Sequence, residues 1–156
     1  MSLRQHFLNR CLRLAEKPLL ARANPQILRA AMEMQARVFF KGPREVAAEW
    51  RGLPGAGSAL WFIPQRPPTG RVILYIHGGG FVFGSPETHR AMIARLALLT
   101  GAQAVLPRYG RVPEVSFPKP AEDVRAAWEA LHQLGIAARD IVIGGDSAGG
   151  ALVFDL

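Results

Sequence analysis

Two glycine-rich segments, each directly after an apolar run, carry the residues that could do chemistry. The sequence HGGGF occupies 77–81, after the apolar run 72–76, and GDSAG occupies 145–149, after the apolar run 141–143. Open sheets of parallel strands bind their ligands beyond the carboxyl ends of the strands. If both runs are strands, the two segments lie where a site is expected.

The GDSAG segment has the G-x-S-x-G spacing of a nucleophile elbow. A serine on a sharp turn between a strand and a helix takes a strained backbone conformation, and the residues two before and two after it must be almost free of side chain. Gly145 and Gly149 meet that requirement around Ser147. The same spacing also fits a serine that only caps the next helix. By itself the segment therefore leaves a catalytic and a capping role open.

The glycines of the 77–81 segment could direct consecutive backbone N–H groups at a developing oxyanion, because no Cβ would block the approach. A flexible strand-to-helix turn is the alternative, and the downstream serine favours the oxyanion interpretation. Phosphate binding is disfavoured, since neither segment has the spacing of a dinucleotide fingerprint and neither supplies the lysine of a P-loop.

The rest of the chain predicts an α/β sheet that places both segments. Strands are predicted at 72–76, 102–106 and 141–143, and a hairpin of two strands, 45–50 and 58–63, precedes them. One helix is predicted from a cap at Ser85 to Gly101, and another from Pro120 to Gly135. This alternation predicts a mainly parallel sheet with helices on both faces.

The net charge of +7 is concentrated near the start of the chain. Residues 1–51 carry ten basic and four acidic residues, whereas the remainder carries nine basic and eight acidic residues. Phe7, Cys11, Leu12 and Leu14 recur there at roughly helical spacing, which predicts a basic amphipathic helix packed on the protein. A membrane-surface or targeting helix is the alternative. A nucleic-acid partner is not expected.

The composition narrows the class of protein. Hydrophobic residues make up 49% and charged residues 20% of the chain, which is typical of a folded domain. Cys11 is the single cysteine, so neither a disulfide scaffold nor a zinc or redox pair is expected. The apolar runs are far shorter than the ~18 residues of a membrane span. We therefore expect a cytoplasmic protein with no cofactor and no metal.

Together the two segments resemble the hormone-sensitive-lipase-like group of α/β-hydrolase esterases, in which H-G-G-G precedes G-D-S-A-G-G. The stretch YGRVPE at 109–114, with Phe117-Pro118 and Glu122-Asp123, is similar to the group's Y-R-L-A-P-E, F-P and E-D pattern. Arg108 stands where the group usually has Asp, and Gly110 where it usually has Arg. The resemblance covers the whole chain and implies an α/β-hydrolase fold that hydrolyses short acyl esters through an acyl-enzyme.

The resemblance also implies residue roles. Ser147 would be the nucleophile, and His77 would anchor the glycine loop and not act as general base. Gly79, Gly80 and the N–H of Ala148 would donate to the oxyanion, with Gly78 shaping the loop. The segment around the serine would be supported by Asp146, Gly145 and Gly149.

In this group an acid and a histidine follow the serine along the chain. Only nine residues follow Ser147, with Asp155 as the one acid among them and no histidine. His89 is the histidine nearest to the predicted chemistry, and we expect it to be a cap or surface residue and not a substitute base. Asp155 would also lie unfavourably near the negative end of the terminal helix.

These absences predict an incomplete enzyme. We expect an N-terminal helical cap region at 1–44 and a hydrolase core at 45–156 that is truncated after the nucleophile elbow. Esterase activity would then be impaired, and self-association through an open sheet edge would be expected. The alternative is a non-catalytic remnant that binds acyl ligands or another chain.

Overall fold

A five-stranded mixed sheet with helices on both faces forms the part of the chain that the structure describes. The structure is a computed structural model and describes residues 10, 14, 24–65 and 70–156. Most of the predicted N-terminal helix, including Phe7, Cys11 and Leu12, lies outside these residues. No helix in the described ranges is long and apolar enough to cross a bilayer.

The helices and strands follow one another in the order that the sequence predicts. They are α1 (Pro25–Phe39), β1 (Val46–Leu53), β2 (Gly57–Pro64), β3 (Val72–Ile76), α2 (Pro86–Thr100), β4 (Gln103–Pro107), α3 (Lys119–Gln133), β5 (Ile141–Gly145) and α4 (Ala148–Val153), with a 3-10 turn at Ala138–Asp140. The predicted hairpin is confirmed, and its strands extend further towards the turn than predicted.

The strand order is β1-β2-β4-β3-β5. The three later strands are parallel, with Ile73 of β3 paired to Ala104 of β4 and to Val142 of β5. The hairpin joins this parallel unit through an antiparallel pairing of β2 with β4. The predicted sheet is therefore confirmed, and β3 lies between two parallel neighbours.

Local sequence signals set the ends of α2. Ser85 accepts a hydrogen bond from the N–H of Thr88, and the Thr88 hydroxyl accepts one from the N–H of Ser85, so the two residues form a capping box. Gly101 ends the helix in the left-handed conformation, with φ +66°. The N-terminus of α2 is thereby fixed directly after the glycine loop of residues 77–84.

The core has two halves, one on each face of the sheet. Leu74 and Ile76 of β3 pack on one face against residues of α3 and α4, whereas Ile73 packs on the other face against residues of α2. Helix α1 packs on the outside of α2. This alternation of buried side chains along β3 is why the strand is continuously apolar.

Strand β5 lies at the edge of the sheet as described, because it pairs with β3 on one side and with no other described strand. Val142 is 57% exposed. Beside it an open apolar groove of about 630 Å³ runs between β5, β3 and α2, lined partly by Ile73, Tyr75 and Leu96. An open apolar edge is therefore present in the described part of the chain.

Candidate active site

The loops that follow β3, β4 and β5 meet at the carboxyl edge of the parallel strands. The N–H of Gly78, after β3, donates to Oδ1 of Asp146, after β5, across 2.9 Å. The hydroxyl of Tyr109, after β4, donates to the carbonyl of His77 across 2.7 Å. Both glycine-rich segments therefore belong to one site.

Ser147 lies on the strained turn that the spacing predicts. Its φ of +50° and ψ of −120° are unusual for a residue with a side chain. A Cβ on Gly145 would lie 2.7 Å from the carbonyl carbon of Gly149, so the turn closes only over glycine. The exposed Ser147 side chain makes no capping hydrogen bond to α4, which means that the capping alternative is wrong.

The glycine loop folds into a tight turn around Gly79. The N–H groups of Val82 and Phe83 both donate to the Gly79 carbonyl, at 3.1 and 2.7 Å. Gly79 has φ +123°, and a Cβ there would lie 2.2 Å from the Phe83 carbonyl oxygen. Only glycine fits this position without a backbone shift.

Not every backbone N–H of the predicted oxyanion hole (Gly78, Gly79, Gly80 and Ala148) is free to bind a ligand. The N–H of Gly78 is already engaged by Asp146, so Gly78 shapes the loop and is not a free donor. The N–H groups of Gly79, Gly80 and Ala148 donate to no acceptor in the described ranges. These three groups are the ones available to a ligand.

His77 has the geometry of an anchor. Its ring is fully buried and stacks on Tyr109 with ring centroids 4.4 Å apart. Nδ1 donates to the Gly78 carbonyl at 2.9 Å, and burial lowers the pKa of His77 to about 4. The buried ring therefore holds the Gly78 carbonyl in the loop, and no hydrogen bond joins it to Ser147 in the described ranges.

Arg29 of α1 holds the glycine loop and the loop after β4 from behind, a contact that no sequence motif indicates. Its buried guanidinium donates to the carbonyls of Val82 and Val112, both at 2.5 Å, and to Oε1 of Glu114 at 2.7 Å. The hydrogen bond from Arg29 lowers the pKa of Glu114 to about 2. Helix α1 is therefore coupled to the site by a charged contact.

The positions that depart from the family pattern are accommodated locally. The Arg108 guanidinium carbon lies 4.6 Å from the centre of the Trp50 ring, a cation–π arrangement. The N–H of Gly110 donates to Oδ2 of Asp123 at 2.8 Å. Arg111 donates to the carbonyl of Gly84 at the end of the glycine loop.

Two titratable side chains, His89 and Asp155, have partners that the sequence did not predict. His89 contacts the cap residues Ser85 and Thr88, as the cap alternative expects, but its side chain is only 18% exposed and its Nε2 lies 3.3 Å from Oδ1 of Asp146, so the surface alternative is wrong. Asp155 pairs with Arg125 at 2.6 Å, which offsets its unfavourable place near the end of α4. In the described ranges, no group of three or more His, Cys, Asp or Glu side chains could hold a metal ion.

A family model described as the alpha/beta hydrolase fold matches residues 73–156, which include β5, all of β3 but its first residue, and both glycine-rich segments. The chain belongs to the α/β-hydrolase family. Within this family it belongs with the hormone-sensitive-lipase-like esterases, as the motifs predicted.

Curated relatives and solved structures place this α/β-hydrolase among esterases. It is 32% identical to the putative acetyl-hydrolase LipR of Mycobacterium tuberculosis over the whole chain, which covers 50% of that protein. It is 39% identical to an acetyl-hydrolase of Streptomyces hygroscopicus over 63% of this chain and 32% of that protein. The crystal structure of an esterase from the bacterial hormone-sensitive lipase family matches 85% of this chain and 44% of that one, with a TM-score of 0.77 and 35% identity. The chain thus spans about half or less of the length of these relatives.

Proposed function

We propose that Ser147 is the nucleophile of a serine carboxylic-ester hydrolase that acts on short acyl esters through an acyl-enzyme. The observation that carries the proposal is the backbone of Ser147, a strained φ of +50° that presents an exposed hydroxyl with no capping partner. Free N–H groups on the neighbouring glycine loop and at the start of α4 complete the arrangement. The esterases and acetyl-hydrolases among its relatives support the same reaction class.

In this proposal Ser147 Oγ attacks the acyl carbonyl carbon, and the carbonyl oxygen becomes an oxyanion. The N–H groups of Gly79, Gly80 and Ala148 donate to that oxyanion in the tetrahedral intermediate. Collapse of the intermediate expels the alcohol and leaves the acyl group on Ser147. Water then attacks the acyl-enzyme, releases the acid and restores the serine. Asp146, Gly145 and Gly149 hold the serine in place.

The proton of Ser147 needs a base that the described residues do not supply. His77 is buried on Tyr109, His89 lies on Asp146, and no histidine follows Ser147 in the sequence. An oxyanion hole and substrate binding without a complete triad still give ~10³ to 10⁴-fold acceleration over water. We therefore expect the chain by itself to hydrolyse esters slowly.

A second function, binding of an acyl ligand or of another chain without catalysis, is favoured by that same missing base. It would use the glycine loop to bind an acyl ligand, or the open edge of β5 to bind another chain, and it needs no proton transfer. The two proposals differ in whether turnover depends on Ser147.

Hydrolysis of p-nitrophenyl acetate by the purified chain tests the first proposal. We expect slow turnover that disappears in Ser147→Ala and persists in Ser116→Ala, an exposed serine on the loop after β4. Turnover that is equal in both variants would remove Ser147 from the mechanism. Binding of the ester with no turnover above the Ser147→Ala background would favour the second function.

Domain division and location belong to the proposal as well. We infer a helical cap region at 1–44 and a core at 45–156. The hydrogen bonds of Arg29 with Val82 and Glu114 support a cap helix α1 that packs against the loops of the site. The expected cytoplasmic location and the expected lack of a nucleic-acid partner stay predictions from the sequence.

A further inference from the structure

The carboxylate of Asp146 is the meeting point of three elements. Its Oδ1 accepts the N–H of Gly78 at 2.9 Å and the hydroxyl of Tyr75 at 3.3 Å, and it lies 3.3 Å from Nε2 of His89. These contacts come from the glycine loop, from β3 and from α2. Asp146 immediately precedes Ser147, so the same carboxylate lies between the nucleophile and the loop of oxyanion donors.

His89 is itself held by the first turn of α2. Its Nδ1 lies 3.2 Å from the carbonyl of Ser85 and 3.0 Å from Oγ1 of Thr88, the two residues of the capping box. The ring lies with its centroid 5.7 Å from that of His77. Because both ring nitrogens have partners, His89 is fixed in orientation and is not free to serve Ser147 as a base.

We propose that His89 is a positioning residue for the oxyanion hole, acting through Asp146 on the N–H of Gly78. The proposal rests on the function proposed above for Ser147 and the glycine loop. Nε2–H of His89 donates to Asp146 and keeps the carboxylate turned towards Gly78, which in turn sets where Gly79 and Gly80 present their N–H groups.

The backbone of the glycine loop packs tightly against the Asp146 carboxylate, so its position depends on how that carboxylate is oriented. A Cβ on Gly78 would lie 2.3 Å from Oδ2 of Asp146, so the loop backbone lies directly on the carboxylate. Without His89 the carboxylate keeps only Gly78 and the longer contact from Tyr75 at 3.3 Å, so it is freer to rotate and Gly78 can lose its acceptor. A hydrogen bond to a charged group is stronger than one between neutral groups, so the loss of the His89 donor should measurably change the position of the loop.

Two substitutions separate hydrogen bonding from packing. His89→Leu removes the donor and keeps an apolar side chain, whereas His89→Gln restores an N–H donor close to the place of Nε2. His132→Leu is the matched control: His132 also bonds a backbone carbonyl four residues away, that of Ile136, but it lies on the exposed end of α3. Each variant is made in the full chain.

Two readouts are measured on each variant. The first is hydrogen exchange at the amide of Gly78, which reports its bond to Asp146 whether or not the chain is an enzyme. The second is the rate at which an alkyl fluorophosphonate labels Ser147, since this adduct uses the same oxyanion donors.

We expect His89→Leu to speed exchange at Gly78 and to slow labelling of Ser147, each roughly 10-fold, as the loss of one charge-assisted hydrogen bond would do. His89→Gln should recover most of both, and His132→Leu should change neither. Unaltered exchange at Gly78 in His89→Leu, or a loss that His89→Gln fails to recover, would overturn the proposal. Failure of the parent chain to label Ser147 would instead count against the proposed function, while the exchange readout still decides the role of His89.

Discussion

Gly149 lies against the carbonyl of Ile76 so closely that a Cβ on Gly149 would be 2.1 Å from that oxygen. The contact joins the first turn of α4 to the end of β3. It holds the turn that bears Ser147 on the strand that leads into the glycine loop. The two glycine-rich segments are therefore close because one of them has no side chain at this point.

Replacing Gly149 tests that contact. Gly149→Ala forces the backbone of the turn or of β3 to move, and we expect the free energy of unfolding to fall by about 1–3 kcal/mol, as overpacking does. Gly144→Ala is the control, because a Cβ there would meet only the Tyr75 ring at 3.4 Å, an ordinary contact. Denaturant unfolding measures both, and equal stability of the two variants would refute the close approach.

The charged link from α1 to the site gives a second prediction. Arg29→Met leaves the carbonyls of Val82 and Val112 without their donor, and we expect a loss of about 2–4 kcal/mol in unfolding free energy. Arg37→Met on the same helix should cost little, because the Arg37 side chain is 62% exposed and 3.8 Å from its acidic partner. If the two variants unfold alike, Arg29 is not what couples α1 to the loops.

Burial of His77 predicts a pH dependence of stability. The folded protein holds the pKa of His77 at about 4, below its ordinary value of 6.5, because burial disfavours the charged ring. Between pH 6.5 and 4 the unfolded chain therefore binds a proton that the folded chain does not. The free energy of unfolding decreases as the pH is lowered through this range, by at most about 3 kcal/mol. This contribution is fully present above pH 6.5.

His77→Asn isolates that contribution. Asparagine keeps a donor for the Gly78 carbonyl but does not titrate. The free energy of unfolding of His77→Asn should therefore change less between pH 6.5 and 4 than that of the parent chain. Unfolding curves at several pH values check this. Parallel slopes for the two proteins across this window would contradict it.

Much of this site could be predicted because its signals are local. The Ser85 cap, the glycines that flank Ser147 and the apolar run of β3 each act within a few residues, and the structure has each of them as expected. The strain at Ser147 follows from spacing alone. Local chemistry of this kind can be read from a single sequence.

The contacts that were missed are long-range. Arg29 reaches carbonyls more than fifty residues away and looks in the sequence like any solvated arginine of a basic helix. His89 was singled out for its nearness to the glycine loop, but its partner Asp146 comes from another strand end. The antiparallel pairing of β2 with β4 was likewise not indicated by any local signal.

The open edge of β5 predicts self-association. Unpaired strand edges beside apolar surface are templates for another chain, so we expect the average mass in sedimentation to rise with protein concentration. Val142→Lys places a charge in the exposed groove and should weaken association. Val38→Lys on α1 is the control: Val38 is 58% exposed, about as exposed as Val142, and its replacement should not weaken association. A parent chain that stays monomeric over the concentration series would contradict this use of the edge.

Covalent labelling is the decisive test of Ser147 as a nucleophile held on a strained turn. The folded chain is treated with an alkyl fluorophosphonate, and the modified residue is identified by peptide mass spectrometry, beside a urea-unfolded sample and Ser147→Ala. We expect the label on Ser147, far faster labelling in the folded chain than in the unfolded one, and no labelling at this position in Ser147→Ala. Labelling of Ser147 no faster in the folded chain than in the unfolded one would contradict it.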